Sequence, residues 1–369
     1  MTVRAGELVA LRLFDIAYAI DLAGAESAWM ARAGAEARRN RLTHAAPKAV
    51  AFGVPPLDLP LEPLRLRLDG VDVLARARVR LYDFGVAAVA LRVDASALAW
   101  PAFAARMDAL GRVVGPAATE APWDRLRQRV VDAVAPALDR PAADAELQED
   151  YLLGVVQAFD EPLDAATLRE RVDLAALLSG ETRPLAEGAR RDLLAHAYSY
   201  YADDLVVLTW DRAFVYEPRG DADVADVIEV ANAQLVEFRY YDTLLDNELP
   251  RMYARVQEAR GTGSLLAARR FANLARGLYM LVAEATELTE KVDNALQVTE
   301  DVYLARVYSA ALGLFRVPAL SASVDRKLAI IRDTYAALYE EASSRRSEWL
   351  EIAIVLLIVL EVALSLLRH

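Results

Sequence analysis

The chain ends in IAIVLLIVLEVALSLLRH, Ile352 to His369, a run whose only polar residues are Glu361, Ser365, Arg368 and His369. A helix that is apolar on every side cannot lie on the surface of a globular body and needs a membrane or an assembly core around it. No other segment restricts the architecture so sharply. A bilayer core takes roughly 20 apolar residues in a helix, and Trp349 to Leu367 supplies 19, with Glu351 near the start and Glu361 inside. A carboxylate at mid-bilayer costs on the order of 2.5 kcal/mol or more, against about 0.3–0.6 kcal/mol returned by each Leu or Ile. The span is therefore marginal, and Glu361 is expected against a partner helix, protonated, or near the far interface. Trp349, Ile352, Leu360, Glu361 and Leu367 mark the expected anchor, with Arg345 and Arg346 as its positive flank. The competing cover for such a helix is an oligomer core. The opening MTVRAGELVALRLF lacks the separate charged and apolar regions of a signal peptide, so the body is expected in the cytoplasm.

Composition narrows the chemistry. With 369 residues, 55% hydrophobic and 26% charged, the chain is globular and long enough for two or three domains. It has no cysteine, which excludes disulfides, thiolate metal sites and cysteine nucleophiles. The three histidines, His44, His196 and His369, are too few for a multi-histidine centre. Net charge is −12, yet residues 1–130 carry 18 Lys+Arg against 14 Asp+Glu while the remainder carries 24 against 40. An acidic chain is ill suited to broad nucleic-acid binding, which rests on phosphate neutralisation. A local basic face in the N-terminal part stays open.

The expected fold is α+β: a mixed α/β body over 1–220, long antiparallel coiled-coil-like helices over 221–348, and a transmembrane helix over 349–369. LRLRLDGVDVLARARVRLY alternates around Asp69-Gly70, which predicts a β-hairpin. Arg12-Leu13-Phe14-Asp15-Ile16 and Arg80-Leu81-Tyr82-Asp83-Phe84 echo each other and could mark related strand entries in one sheet. From Trp100 to Glu149 the text is helical, broken by Pro101, Pro116, Pro122, Pro136 and Pro141. Tyr151–Phe159, Ala202–Thr209 and Ala213–Glu217 read as strands, the last two joined by a turn at Trp210-Asp211. Beyond Asp221, Ile228, Ala231, Leu235, Phe238, Leu245, Leu249 and Met252 give a near-heptad stripe, and the glycines Gly261 and Gly263 break it from a helix starting at Ser264. After Pro318, Ser323 is placed to cap a last helix from Val324 into the tail. Long helices of this kind favour a homo-oligomer.

Three polar sets compete as sites. On the helix after Asp223 stand Glu229, Asn232, Gln234, Glu237, Arg239 and Asp242, near Tyr240 and Tyr241; spacing puts Arg239 beside Asp242 and Asp242 beside Asp246. They form either a register-fixing salt-bridge and hydrogen-bond network, the favoured reading, or a polar pocket or acidic cation site. Asp203, Asp204 and Asp211 flank a strand, where carboxylates can hold Mg²⁺ or Ca²⁺, although aspartates are commoner still as turn residues. Arg65, Arg67, Arg76, Arg78 and Arg80 recur at period two and so share one strand face. That face could meet RNA, a ribosome or anionic lipid headgroups, or be covered by acidic residues of the helical part. The motifs GxxxxGK[ST], GxGxxG, GxSxG and HExxH are all missing, and GTGS at Gly261–Ser264 lacks a phosphate-loop lysine. His196 has no nameable partner. No catalytic residue, cofactor or small-molecule substrate is assigned. A scaffold is the leading expectation, with a metal-dependent hydrolase of nucleotides or phosphoesters, working through the aspartates, as the alternative.

The stretches LLAHAYSYYADDLVVLTWDRAFVYEP, DVIEVANAQLVEFRYYDTLLDNEL, VTEDVYLARVYSAALGLF, SVDRKLAIIRDTYAALYEEA and RRSEWLEIAIVLLIVLEV resemble, in order, the "required for meiotic nuclear division" family, also called the YagE or Sad-interacting-factor family. The resemblance implies a bacterial member anchored in the inner membrane, self-associating, and by analogy with organelle relatives tethering ribosomes near the membrane. It matches Glu229, Ala231, Asn232, Gln234, Glu237, Arg239, Tyr240, Tyr241 and Asp242 to that family's central helix and carries over no catalytic residue.

Overall fold

The computed structural model describes the chain apart from residues 34–37, 40–49, 119–120, 143–146, 182, 221–222, 261–263, 294–295, 299–301 and 368–369. For residues 33, 38–39, 50–52, 259–260, 264–271, 288–293, 296–298, 341–350, 352 and 362–367 it describes the backbone alone. His44, the glycine break at 261–263 and His369 thus lie outside the described residues, as do the side chains of Trp349, Ile352 and Leu367.

The N-terminal half opens with β1 (Thr2–Asp15), β2 (Ala17–Ile20), α1 (Leu22–Ala33), β3 (Arg38–Arg39), β4 (Val50–Phe52), β5 (Leu57–Leu68), β6 (Val71–Leu81), β7 (Val86–Asp94) and β8 (Leu98–Ala99). Helices α2 (Trp100–Val114) and α3 (Trp123–Val134) lead to β9 (Leu138–Pro141) and β10 (Gln148–Phe159). Then come α4 (Ala165–Arg171), α5 (Leu174–Ser179), α6 (Glu187–Leu193), β11 (Ala197–Tyr198), β12 (Leu205–Leu208) and β13 (Arg212–Tyr216). The rest is α7 (Asp223–Arg260), α8 (Ser264–Asp293), β14 (Leu296–Val298), α9 (Val302–Leu314) and α10 (Val317–Leu367). Two compact units result: Met1–Tyr240 with Lys291–Pro318, and Tyr241–Glu290 with Ala319–His369. The first unit thus takes in the start of α7 and all of α9, past the boundary expected at 220.

The first unit is a mixed α/β body around a ten-stranded sheet ordered β11-β12-β13-β10-β1-β7-β6-β5-β3, with β8 on β1. Its pairs are antiparallel except β10 with β13. The β5–β6 hairpin turns where its spacing predicts: Asp69 (φ 48°) and Gly70 (φ 84°) are both left-handed, as the twist-compatible two-residue turn requires. The turn from β6 into β7 depends on Gly85, whose φ is 98° and where a Cβ would fall 1.9 Å from the carbonyl oxygen of Ala17.

Side-chain parity separates the two sheet faces. Leu8, Ala10 and Phe14 of β1, Ala75, Val79 and Leu81 of β6, and Val89 and Leu91 of β7 pack with Phe103, Met107 and Leu110 of α2 and Leu126 and Val130 of α3. The opposite parity (Val9, Leu11 and Leu13, Ala88 and Ala90, Tyr151 and Leu153) is equally buried. That second face is covered by the start of α7 and by α9; the Phe315 ring just beyond α9 meets Tyr151 edge-on at 5.5 Å. Burial on both faces explains why β1 reads as a nearly continuous apolar run. The Arg12 and Arg80 echo does sit on two strands of one sheet, but on opposite faces. Arg12 donates to the Val114 carbonyl and lies 5.6 Å from the Trp123 ring, whereas Arg80 meets α7.

The second unit is helical: α7 from Tyr241, α8, and α10 from Ala319. Leu245, Met252, Leu278, Val324, Leu328, Ile331 and Leu338 are among its buried apolar residues. Helix α10 starts at Val317 with Pro318 in its first turn, so Ser323 is interior rather than a cap. A proline is tolerated there because its missing N–H has no intrahelical partner to lose. The helix continues without a break to Leu367. Among the described residues, no single helix is long and apolar enough to cross a membrane.

Candidate functional site

The five period-two arginines do share a face. Register pairs Arg67 with Asp72, Arg65 with Leu74, Arg78 with Pro60 and Arg80 with Asp58, the slip between Leu61 and Leu64 keeping both strands in phase. It is the face that α7 crosses. Thirteen residues separate Asp226 from Arg239, about 20 Å of helix. Asp226 meets Arg80 of β6 and Arg239 meets Glu149 of β10, three strand spacings apart at about 14 Å. Helix α7 therefore runs obliquely over β6, β7, β1 and β10.

Under its first turns lies a charged seam. Arg80, 2% exposed, donates to Asp58 at 3.0 Å and Asp226 at 2.9 Å and stands 3.3 Å from Glu229. Arg78 donates to Asp58 and Glu229, each at 3.0 Å. The Tyr82 hydroxyl donates to Glu229 at 3.1 Å. Arg76 and Arg92, directly opposite each other on β6 and β7, both reach Glu7. Four guanidinium groups thus face four carboxylates. Burial alone would lower the Arg80 pKa, but Asp226 and Glu229 outweigh it and hold Arg80 well above its ordinary value. Burial, then Glu229, pushes the Tyr82 phenol well up, so it stays a donor. Buried charges of this kind hold only when every partner is present.

The same row changes character toward the hairpin turn. The Arg76 side chain is 68% exposed, and Arg65 and Arg67 are exposed with Leu74 (59%) across from Arg65. The other face of this tip is held down, with Arg112 on α2 binding Asp69 at 2.9 Å and Arg129 on α3 binding Glu62 at 2.9 Å.

The remaining candidates occupy separate settings. On α7, Asn232 donates to the Ile228 carbonyl and Gln234 accepts from Tyr308 of α9. Glu237 and Tyr241 are buried. Arg239 pairs with Glu149 of the sheet rather than with Asp242, because the start of β10 lies within its reach. Asp242 instead joins Asp246 around Lys327, at 2.7 and 2.6 Å. Burial, then Asp15, raises the Tyr240 phenol. Asp15 has its own pKa pushed up to about 7 by burial, opposed by the Ala17 amide. The three strand-flanking aspartates point to different tasks. Asp204 is buried and accepts from the amides of Tyr200 and Tyr201, Asp203 pairs with Arg219, and Asp211 accepts from Thr209. Among the described residues, no group of three or more His, Asp or Glu could hold a metal ion. His196 is half-buried, and its carbonyl accepts from Leu208. A surface pocket of about 400 Å³ lies between Asp173, Glu181, Arg183 and Arg190, its charges balanced. In the tail, Ile354 to Leu360 are each between 54% and 65% exposed, and Glu361 is exposed.

Sequence reasoning missed Glu7, Asp58, Arg92 and Asp226 as partners of the arginine row. Asp58 was hidden by the bulge: along β5 it lies at the opposite parity to Arg65 and Arg67, and only the register slip between Leu61 and Leu64 brings it across from Arg80.

Residues 5–223 match the family model described as "Uncharacterized protein MJ0711, N-terminal domain". The chain is 25% identical over 244 residues to uncharacterized protein MJ0711 of Methanocaldococcus jannaschii, covering 66% of this chain and 73% of the relative. No solved structure matches. These matches overturn the resemblance to the "required for meiotic nuclear division" (YagE, Sad-interacting-factor) family and its bacterial assignment; the ribosome-tethering role drawn from that resemblance loses the support it had there. The misleading stretches were largely amphipathic helix and apolar tail, patterns that report packing more than ancestry.

Proposed function

The chain belongs to the family defined by the N-terminal domain of uncharacterized protein MJ0711, and from that premise we propose a non-catalytic role. The protein is a self-associating scaffold held at the cell membrane by the end of α10, with its sheet body in the cytoplasm. The observation that carries this reading is the tail, where seven consecutive apolar side chains, Ile354 to Leu360, are all more than half exposed. Seven residues make about two helical turns, so every side of the helix is apolar. Such a surface is stable only when something apolar surrounds it.

Pairing of tails from two or more copies supports the same reading. It shields Glu361 and lets a marginal apolar segment enter a bilayer. The long helices of the second unit supply a coiled-coil-like contact for that pairing. The test is fractionation of the intact chain and of a chain ending at Ser347. The intact chain is expected in the membrane pellet after a salt wash, and the shortened chain in the supernatant with an unchanged melting curve. A shortened chain that still pellets, or an intact chain that remains soluble, overturns the anchor.

A further inference from the structure

We propose that the tip of the β5–β6 hairpin is a second, independent contact surface that docks on anionic phospholipid headgroups. It goes beyond the tail anchor, since it stands on a different segment and a different chemistry.

The tip is a sheet face left open. Its other face is covered by α2 and α3 and held by the Arg112–Asp69 and Arg129–Glu62 ion pairs. On the open face Arg65 stands directly across from Leu74. Arg65, Arg67 and Arg76 surround Leu74, an apolar side chain more than half exposed. The acidic face of α7 reaches only as far as Arg78 and Arg80. Among the described residues three carboxylates bear on this patch, against Arg65, Arg67, Arg76 and Arg92: Asp72 lies across from Arg67, Glu7 is shared by Arg76 and Arg92, and Asp94 lies across from Glu7 on the same face. A positive surplus remains, in a chain whose net charge is −12.

The chemistry of the patch selects its occupant. An exposed aliphatic side chain bordered by arginines fits a headgroup interface, where the aliphatic tip enters the acyl boundary and each guanidinium forks onto phosphate. Single-stranded nucleic acid would call for aromatic stacking platforms, and residues 62–76 contain no Phe, Tyr or Trp.

The chain has no cysteine, so Leu74→Cys gives the full-length protein a single thiol for an environment-sensitive fluorophore. Leu356→Cys reports on the tail in a parallel sample. With phosphatidylglycerol vesicles the label at 74 should shift to the blue. The shift should be weak with phosphatidylcholine alone, reverse at high salt, and lose about tenfold or more in apparent affinity in the Arg65→Gln/Arg67→Gln variant. Both substitutions are at exposed positions, and an unchanged melting curve confirms that the variant is folded. A silent label at 74 beside a shifted label at 356 overturns the tip and leaves the tail. The reverse pattern keeps the tip and removes the tail. A shift with single-stranded RNA but not with vesicles, or equal shifts on both lipids, also overturns the proposal.

Discussion

Arg80 and Arg65 are the same residue type, on paired strands of one hairpin, facing the same way. Arg80 is 2% exposed and engaged with three carboxylates, and Arg65 is exposed across from Leu74. The difference is the reach of α7. Where that helix covers the sheet, a guanidinium becomes a structural cross-link; where it does not, the same group stays available to an external anion. A basic stripe in a sequence is therefore no measure of basic surface.

The sharpest way to break this contrast is Arg80→Ala. It removes the buried cation that Asp226 and Glu229 share, and the expected loss is about 3–5 kcal/mol of unfolding free energy, read from urea titration. A chain with Arg80→Met, Asp226→Leu and Glu229→Leu together should recover much of that loss, because no lone buried charge remains. If Arg80→Ala costs less than about 1 kcal/mol, the seam is not the lock described here.

Asp15, on the same face, is the acidic counterpart without such an arginine. Its folded pKa of about 7 lies above the usual carboxylate value, so the folded state holds a proton that the unfolded chain has released. Stability is then greatest below about pH 4 with respect to this group, falls as pH rises toward 7, and is flat above. Asp15→Asn should flatten that slope and raise stability at pH 8 by a few kcal/mol at most, measured as the urea midpoint against pH. An unchanged slope would show that Asp15 is ionised in the fold.

In the second unit Lys327 bridges a half-buried and an exposed carboxylate, and Lys327→Met should cost roughly 1–2 kcal/mol, an intermediate value. At the bottom of the scale, Arg65→Gln with Arg67→Gln should move stability by no more than about 0.5 kcal/mol. A larger loss would mean that the tip carries structural load and would erase the distinction from Arg80.

Much of the body was legible along the chain. The Asp69-Gly70 turn, strands β10, β12 and β13, and the long helices from Asp223 and Ser264 follow from turn chemistry and periodicity, which are local. The sheet order was not, because placing β10 between β1 and β13 depends on contacts distant in sequence. Nor was the site. Helical spacing set Arg239 beside Asp242, yet Arg239 reaches Glu149 and Asp242 reaches Lys327. Spacing shows which side chains share a face but not what lies opposite.

The sequence by itself determined the direction in which each side chain points: period two put five arginines on one strand face, and an unbroken apolar run made the tail uniformly apolar. Only the tertiary structure decided what those faces meet. Helix α7 neutralises part of the arginine row and stops short of the rest, and the end of α10 stands exposed. A side chain's direction is fixed by its own backbone, whereas its partner comes from a distant segment, 151 residues away in the case of Glu229 and Arg78.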